Sequence, residues 1–284
     1  MDGDAAIREA YVTAEEHLRG GRLQEALKEL QSEIKKKPAD SRLRVFLFQI
    51  LAVTGEWDRA LTQLEVAAGL NADALAMKAT YQDVLRCEAQ RKRIFAGQGS
   101  PLIFGEPAEW IALLVQALQL TAQERFEEAA RLRDMAFEAA PTTSGQIDGQ
   151  PFEWIADADS RMGPMLEAIM DGRYYWIPFM RLRAIKIEKP VDLRDVAWTP
   201  ATVTFVNGGE KIVMIPTRYP GSEVAADPRV VLARLTEWIE RPADAHLGLG
   251  QRLLNTDAGE FPLMDVRSID LGSPPGEPTP ANPS

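Results

Sequence analysis

Cysteine and histidine are nearly missing from this 284-residue chain, which has one cysteine, Cys87, and two histidines, His17 and His246. A lone cysteine excludes an internal disulfide and a cysteine-built metal cage. Neither histidine has a His, Cys or carboxylate at metal-ligand spacing, and neither accompanies a serine or cysteine nucleophile motif. Cys87 falls in mid-helix and reads as a small buried apolar group. Basic residues are also in deficit: 32 Lys and Arg face 42 Asp and Glu, a net charge of -10, so a basic nucleic-acid-binding face is not expected. Long hydrophobic runs are missing as well. The longest, Val45 to Val53 and Trp110 to Leu118, each contain a Gln and fall short of the roughly 20 residues that span a bilayer, so no membrane insertion is expected. The opening Met1 to Ala6 is acidic without an apolar run, and no secretory signal is read there. Phosphate-cradling loops are lacking too. Gly97-Gln98-Gly99 and Gly248-Leu249-Gly250 have no following Gly-Lys-Ser/Thr and read as linkers. The expectation is a soluble cytoplasmic protein with no cofactor and no metal.

What is present begins with a repeat. Gly21-Arg22-Leu23-Gln24-Glu25-Ala26-Leu27 aligns with Gly55-Glu56-Trp57-Asp58-Arg59-Ala60-Leu61, the spacing of a tetratricopeptide helix-turn-helix unit. Gly21 and Gly55 suit the tight turn, while Ala26 and Ala60 let helix backbones approach closely. Pro38 closes the first unit, and Asp40 or Ser41 caps the next helix. A less regular third unit starts at Arg125-Phe126-Glu127-Glu128-Ala129 and ends at Pro141. Between the units lies a long helix, about Asp73 to Phe95, which Asp73 can cap and along which Glu88, Arg91 and Lys92 can pair. Residues 1–140 are therefore expected to form an all-helical, tetratricopeptide-like repeat domain that leans on the rest of the chain.

After Pro141 the texture changes. Thr142 to Gln150 reads as a polar link, Pro164 to Met170 as a short helix stopped by Asp171-Gly172, and Asp227 to Ile239 as a helix. Tyr174 to Phe179 and Arg183 to Ile187 read as strands. Asn207-Gly208-Gly209 turns a hairpin between 202–206 and 211–215, and His246 lies in a loop. Residues 141–271 are expected to be an α+β domain with a small antiparallel sheet, and 272–284 a disordered Pro/Gly-rich tail. The fold class is α+β, with helical-hairpin repeats packed on that second domain.

Candidate chemistry concentrates in Phe152 to Pro164. Trp154, Asp157, Asp159 and Arg161 share one short turn-rich segment. An EF-hand reading fails, because Arg161 stands where an oxygen ligand belongs and Ala168 where the bidentate Glu should be. Asp157 and Asp159 read as turn caps paired with Arg161 or another arginine. Tyr174, Tyr175 and Trp176 are interleaved with Arg173, Arg181 and Arg183, a composition that suits either a core face or a protein-docking patch.

Several segments together resemble the ImpE/SciE/TagJ family of type VI secretion accessory proteins. They are the repeat block, Glu88-Ala89-Gln90-Arg91 with Phe95-Ala96-Gly97, Glu106-Pro107-Ala108-Glu109-Trp110, Trp154 with Asp157 to Pro164, Trp198-Thr199-Pro200-Ala201, Arg218-Tyr219-Pro220-Gly221-Ser222 and Arg234 to Trp238. The resemblance runs from about residue 14 to about 240. It implies a cytoplasmic, non-enzymatic adaptor. Its implied partner is the N-terminal helix of the small contractile-sheath subunit, with a link to the AAA+ unfoldase that recycles the sheath. On chemistry alone, Trp154, Asp157, Asp159, Arg161, Tyr174, Tyr175 and Trp176 are the candidate partner-binding residues. The alternative is a hydrolase-type enzyme using Asp157, Asp159 and Arg161 in an interdomain cleft.

Overall fold

The structure is a computed structural model that describes residues 12–106 and 108–272. Both the opening hexapeptide and, beyond Gly272, the tail lie outside the described residues. A first helix, α1 (12–19), is followed by α2 (Leu23–Lys36), α3 (Ser41–Val53), α4 (Trp57–Leu70), α5 (Ala74–Phe95), α6 (Glu109–Ala122) and α7 (Phe126–Ala139). Three helical hairpins share one turn. Gly21, Gly55 and Glu124 all adopt left-handed φ of 73°, 74° and 60°. The residues that follow, Arg22, Glu56 and Arg125, have nearly identical φ of -90°, -87° and -91°. The small residue at the same place in the next turn, Ala26, Ala60 or Ala129, is buried in every copy. The third unit is thus a true copy whose offset is irregular because α5 and the segment after it intervene. Asp40 caps α3 through bonds to the Arg42 and Leu43 amides. Asp73 does not cap α5, because its own backbone is helical. The nearby Asn71 carboxamide instead accepts from the Asp73 amide.

Strands dominate the rest, giving the α+β class expected. The main sheet has nine strands, β1 (Leu102–Ile103), β2 (Gly145–Ile147), β3 (Gln150–Phe152), β5 (Met165–Met170), β6 (Arg173–Pro178), β7 (Leu182–Ile187), β8 (Trp198–Phe205), β9 (Glu210–Pro216) and β14 (Ser268–Leu271), in spatial order β1-β6-β5-β9-β8-β7-β14-β2-β3. All pairings are antiparallel except that of β1 with β6. A three-stranded sheet joins β4 (Ile155–Asp157), β12 (Leu253–Thr256) and β13 (Gly259–Pro262), and a ribbon joins β10 (Thr236–Arg241) to β11 (Ala245–Gly250). The 207–209 turn joins β8 to β9 as expected.

Four local expectations are corrected. Pro164 to Met170 is not a helix but strand β5, whose six residues are all buried. With both faces covered, its apolar run carries no alternation to mark it as a strand. Asp227 to Ile239 is not one helix. Only α8 (Pro228–Val231) is helical, Ala233 turns left-handed with φ 54°, and β10 follows. The supposed link 142–150 contains β2 and the start of β3. Asp148-Gly149 turns that hairpin with φ of 49° and 83°, as Asp171-Gly172 turns β5 into β6 with φ of 49° and 71°. Both are the Asp-Gly signature of a two-residue hairpin turn. His246 and Gly248 to Gly250 form strand β11 rather than a loop and a linker. A Cβ on Gly248 would stand 2.2 Å from the Tyr219 ring, so the glycine is there to admit that ring.

One apolar core crosses from helices to sheet, joining Leu43, Leu47 and Trp110 to Met165, Trp176 and Trp198. A second core, with Ile147, Ile185, Val203 and Leu254, fills the far face of the sheet. The shared turn gives a test. Gly21→Ala, where a Cβ would meet nothing nearer than 3.4 Å, should cost about 1 kcal/mol from its left-handed φ. Glu124→Gly should be neutral or stabilising by a few tenths of a kcal/mol at the equivalent position. Urea unfolding of both variants reads the two signs, and equal destabilisation would contradict the shared geometry.

Candidate functional site

Strand β5 carries a glutamate, Glu167, whose side chain is wholly buried between helices and sheet. Its carboxylate takes two bonds from the Arg91 guanidinium, 2.6 Å from Nε and 3.1 Å from Nη2, and further bonds from the Arg252 guanidinium and the Tyr174 hydroxyl. Arg91 comes from α5, and its Nη2 also donates to the Arg218 carbonyl at 2.8 Å. Glu88, one turn before Arg91, accepts from the Trp198 indole at 2.8 Å. The Trp176 indole donates to the Tyr174 oxygen at 2.7 Å. Arg252, just before β12, also binds Asp157 and the Pro216 carbonyl. Among the described residues Arg218 forms no ion pair, although Glu223 and Glu88 stand near enough to attract it. It donates to the last carbonyl of α3, Val53, at 2.9 Å and to Val231. Burial lowers the Arg218 guanidinium to about 10.

The segment 157–161 closes the network. The Asp157 carboxylate accepts from the Asp159 amide at 2.9 Å, and the Asp159 carboxylate accepts from the Arg161 and Gly248 amides at 2.8 Å each. Arg161 grips Asp159 in a fork and lies over the Phe95 ring, 5.0 Å from its centroid. The cations Arg91, Arg161, Arg218 and Arg252 balance Glu88, Asp157, Asp159 and Glu167. Burial raises the Asp157 carboxyl to about 6 against the pull of Arg252, with Asp159 adding like charge. Burial also opposes ionisation of Glu167, but Arg91 and Arg252 outweigh it and hold that carboxyl near 2. Burial raises the Cys87 thiol to about 12, leaving it protonated. Among the described residues, no three His, Cys, Asp or Glu side chains are grouped as a metal site requires.

The residues singled out from sequence therefore fall into two groups. Asp157, Asp159, Tyr174 and Trp176 are buried and bonded within the chain, and Arg161 is nearly so. Tyr175 is half-buried under the far face of the sheet, and Trp154 alone is exposed. Sequence reading missed Glu167, Arg252 and Arg218. Glu167 carried a signal: a single charge within an otherwise apolar run demands a buried partner. Among the described residues, clefts open at the surface. One of about 280 Å³ lies between the halves and is lined by Trp57, Lys92, Phe95, Arg161 and Glu223. A groove of about 450 Å³ runs between α4 and α5, with Trp57, Leu61, Leu85 and Ala89 on its walls. A third, of about 350 Å³, separates the end of α7 from residues 154–164.

Residues 149–270 match the family model described as "ImpE protein". Over 258 residues, 91% of this chain and 90% of the relative, the sequence is 50% identical to a Pseudomonas aeruginosa protein named type VI secretion system accessory component TagJ. A crystal structure of a Vibrio parahaemolyticus protein superposes with a TM-score of 0.84 at 22% identity, covering 93% of this chain and 98% of that one, and shares the fold.

The buried network sets two expectations. Glu167→Gln removes the carboxylate that Arg91 and Arg252 share, leaving them only Glu88 and Asp157 as acidic partners, and should cost about 3–5 kcal/mol, whereas Tyr174→Phe removes the bond to Glu167 and leaves the buried Trp176 N–H unpaired, and should cost about 1–3 kcal/mol. Denaturant midpoints at pH 7 compare the two. For Asp157, whose carboxyl rises from 3.8 to about 6 on folding, the folded state holds the extra proton between those values. Its contribution is present below pH 3.8 and is lost as pH rises through 6. The stability of the natural protein should therefore fall relative to Asp157→Asn between those limits, and a constant gap would refute the shift.

Proposed function

Because the chain belongs to the ImpE/TagJ family of type VI secretion accessory proteins, we propose that it is a non-enzymatic adaptor that binds the N-terminal helix of the small sheath subunit. Through that contact it modulates recycling of the sheath by the AAA+ unfoldase, on the cytoplasmic side. The observation that carries the reading is the 50% identity to the TagJ accessory component across 91% of the chain.

The chemistry of the site supports an adaptor over a hydrolase. An acid–base pair must present a carboxylate to substrate. Here the Asp157 and Asp159 side chains are at most 1% exposed, and both are taken up by backbone amides and arginines. No helix of the described residues is long and apolar enough to cross a membrane.

The α4–α5 groove suits a third helix. Two antiparallel helices with Trp57, Leu61 and Leu85 between them form a cradle for apolar anchors at helical spacing. Its cations are partly neutralised within the chain, Arg59 by Glu56 and Arg86 by Asp83, so contacts with a partner helix rest on shape and apolar area. An isolated helix is marginal in water, and ordering it on docking costs free energy. Reversible binding follows, as a recycling factor needs.

Calorimetric titration with the small sheath subunit tests the reading. Ala89 is exposed on the groove wall, and Ala89→Arg should weaken binding at least about tenfold, a loss of about 1.4 kcal/mol, while leaving the melting curve unchanged. A sheath subunit lacking its N-terminal helix should not bind. Undiminished binding of that truncated subunit would sink the proposal.

A further inference from the structure

The β10–β11 ribbon has one closed edge and one open edge. On β11, backbone groups of His246, Gly248 and Gly250 point away from β10 and find partners there. The His246 amide donates to the Ser160 hydroxyl at 3.0 Å, and its carbonyl accepts the Ser160 amide at 3.1 Å. The Gly248 amide donates to the Asp159 carboxylate at 2.8 Å, and the Gly250 carbonyl accepts the Tyr219 amide at 3.0 Å. Residues directly opposite in an antiparallel pair turn their N–H and C=O groups either toward each other or away from each other. The residues opposite these three are Glu240, Trp238 and Thr236. Their N–H and C=O groups therefore face away from β11, and among the described residues nothing bonds to them. Such a row of unpaired groups, on a ribbon of only two strands, is a template for a further strand.

The side chains of β10 select the strand that fits. The Trp238 ring packs on Tyr219, with centroids 5.7 Å apart, so Glu237, Ile239 and Arg241 share the opposite face. Glu237 and Arg241 are exposed and form no ion pair among the described residues. An edge guarded against its own kind carries charges that repel a copy of itself. Here the two charges are of opposite sign and are placed symmetrically about Ile239. We propose that β10 is a self-association edge, on which a second copy of this chain lays its own β10 antiparallel about a twofold axis at Ile239. In that register Trp238 stands opposite Glu240 of the second copy, and Glu240 opposite its Trp238, so the outward groups meet as hydrogen-bonded pairs. Ile239 meets the second copy's Ile239, and Glu237 stands opposite Arg241 on both sides of the axis. Moving the axis to Trp238 would set Glu237 opposite Ile239 and leave both charges unmatched. One strand and two exposed ion pairs make a weak, concentration-dependent dimer. The pairing is independent of the sheath-helix reading, which concerns the α4–α5 groove.

Sedimentation equilibrium of the full chain tests it, with Glu237→Arg and Arg241→Glu as separate variants. The natural protein should dimerise reversibly at concentrations below roughly 1 mM. Each substitution sets like charges opposite each other on both sides of the axis and should weaken the dimer about tenfold or more. Both side chains are exposed, so the melting curves should coincide with that of the natural protein. Mixing the two variants in equal amounts should restore a heterodimer of the natural strength, because each then supplies the charge the other lacks. A chain that stays monomeric up to that concentration would overturn the proposal and leave the edge to another protein's strand. A dimer that neither substitution weakens, or a mixture that fails to recover, would overturn it too.

Discussion

Everything else in this molecule is arranged around one carboxylate. Glu167 lies in the middle of a strand with no exposed residue, and a bare charge there is untenable. Its neutralisers come from Arg91, 76 residues earlier, and Arg252, 85 residues later. One is on the long helix and the other opens the small three-stranded sheet, so the helical half, the main sheet and the smaller sheet meet at one point. Against an apolar junction of the same shape, such a cluster adds little net stability. Its effect is orientational. Any other docking of α5 on the sheet would strand Arg91, Glu167 or Glu88 without a partner. The apolar core that crosses the same boundary supplies area but little directional preference.

Arg218 extends the argument to the repeats. It reaches across from the sheet to the last carbonyl of α3, where a helix end leaves its acceptors unsatisfied, and a cation is favoured there by the helix dipole. The repeat turn next to it is crowded by Glu223, whose side chain would meet a Cβ on Gly55 at 2.4 Å. A few repeats rarely stand alone. Here the α3–α4 turn is covered by Arg218 and Glu223 from the strand-rich half.

Much of this was legible in the chain. The glycine turns, the buried alanines and the Asp40 cap were written as local signals, and local geometry obeyed them. The family resemblance was legible in the same way, from short motifs in order. What failed to show were features decided by tertiary contact. Strand β5 has no alternation because both its faces are buried, and Ala233 stops a helix by a left-handed turn that alanine does not advertise. The Asp148-Gly149 and Asp171-Gly172 turns were readable, and were masked by neighbours that suggested a link and a helix stop. The Asp157 to Arg161 segment shows the limit most clearly. Its composition is that of a reactive site, and only Arg252, nearly a hundred residues away, makes it a fastening.

That fastening bears on how the proposed adaptor would work. An acid–base enzyme keeps a charged group poised at a surface, whereas the carboxylates and arginines of this cluster are turned inward. The α4–α5 groove lies on the repeats and the Trp154 groove where α7 meets residues 154–164. Arg161 stacks on Phe95 at the end of α5 while its partner Asp159 holds the Gly248 amide, so the 154–164 segment is tied to the same helix that walls the first groove. The spacing of the two surfaces is therefore set by buried ion pairs rather than by a hinge. A binding event at one groove meets the other at a fixed distance, the property a protein needs if it is to hold one component of an assembly in register with another.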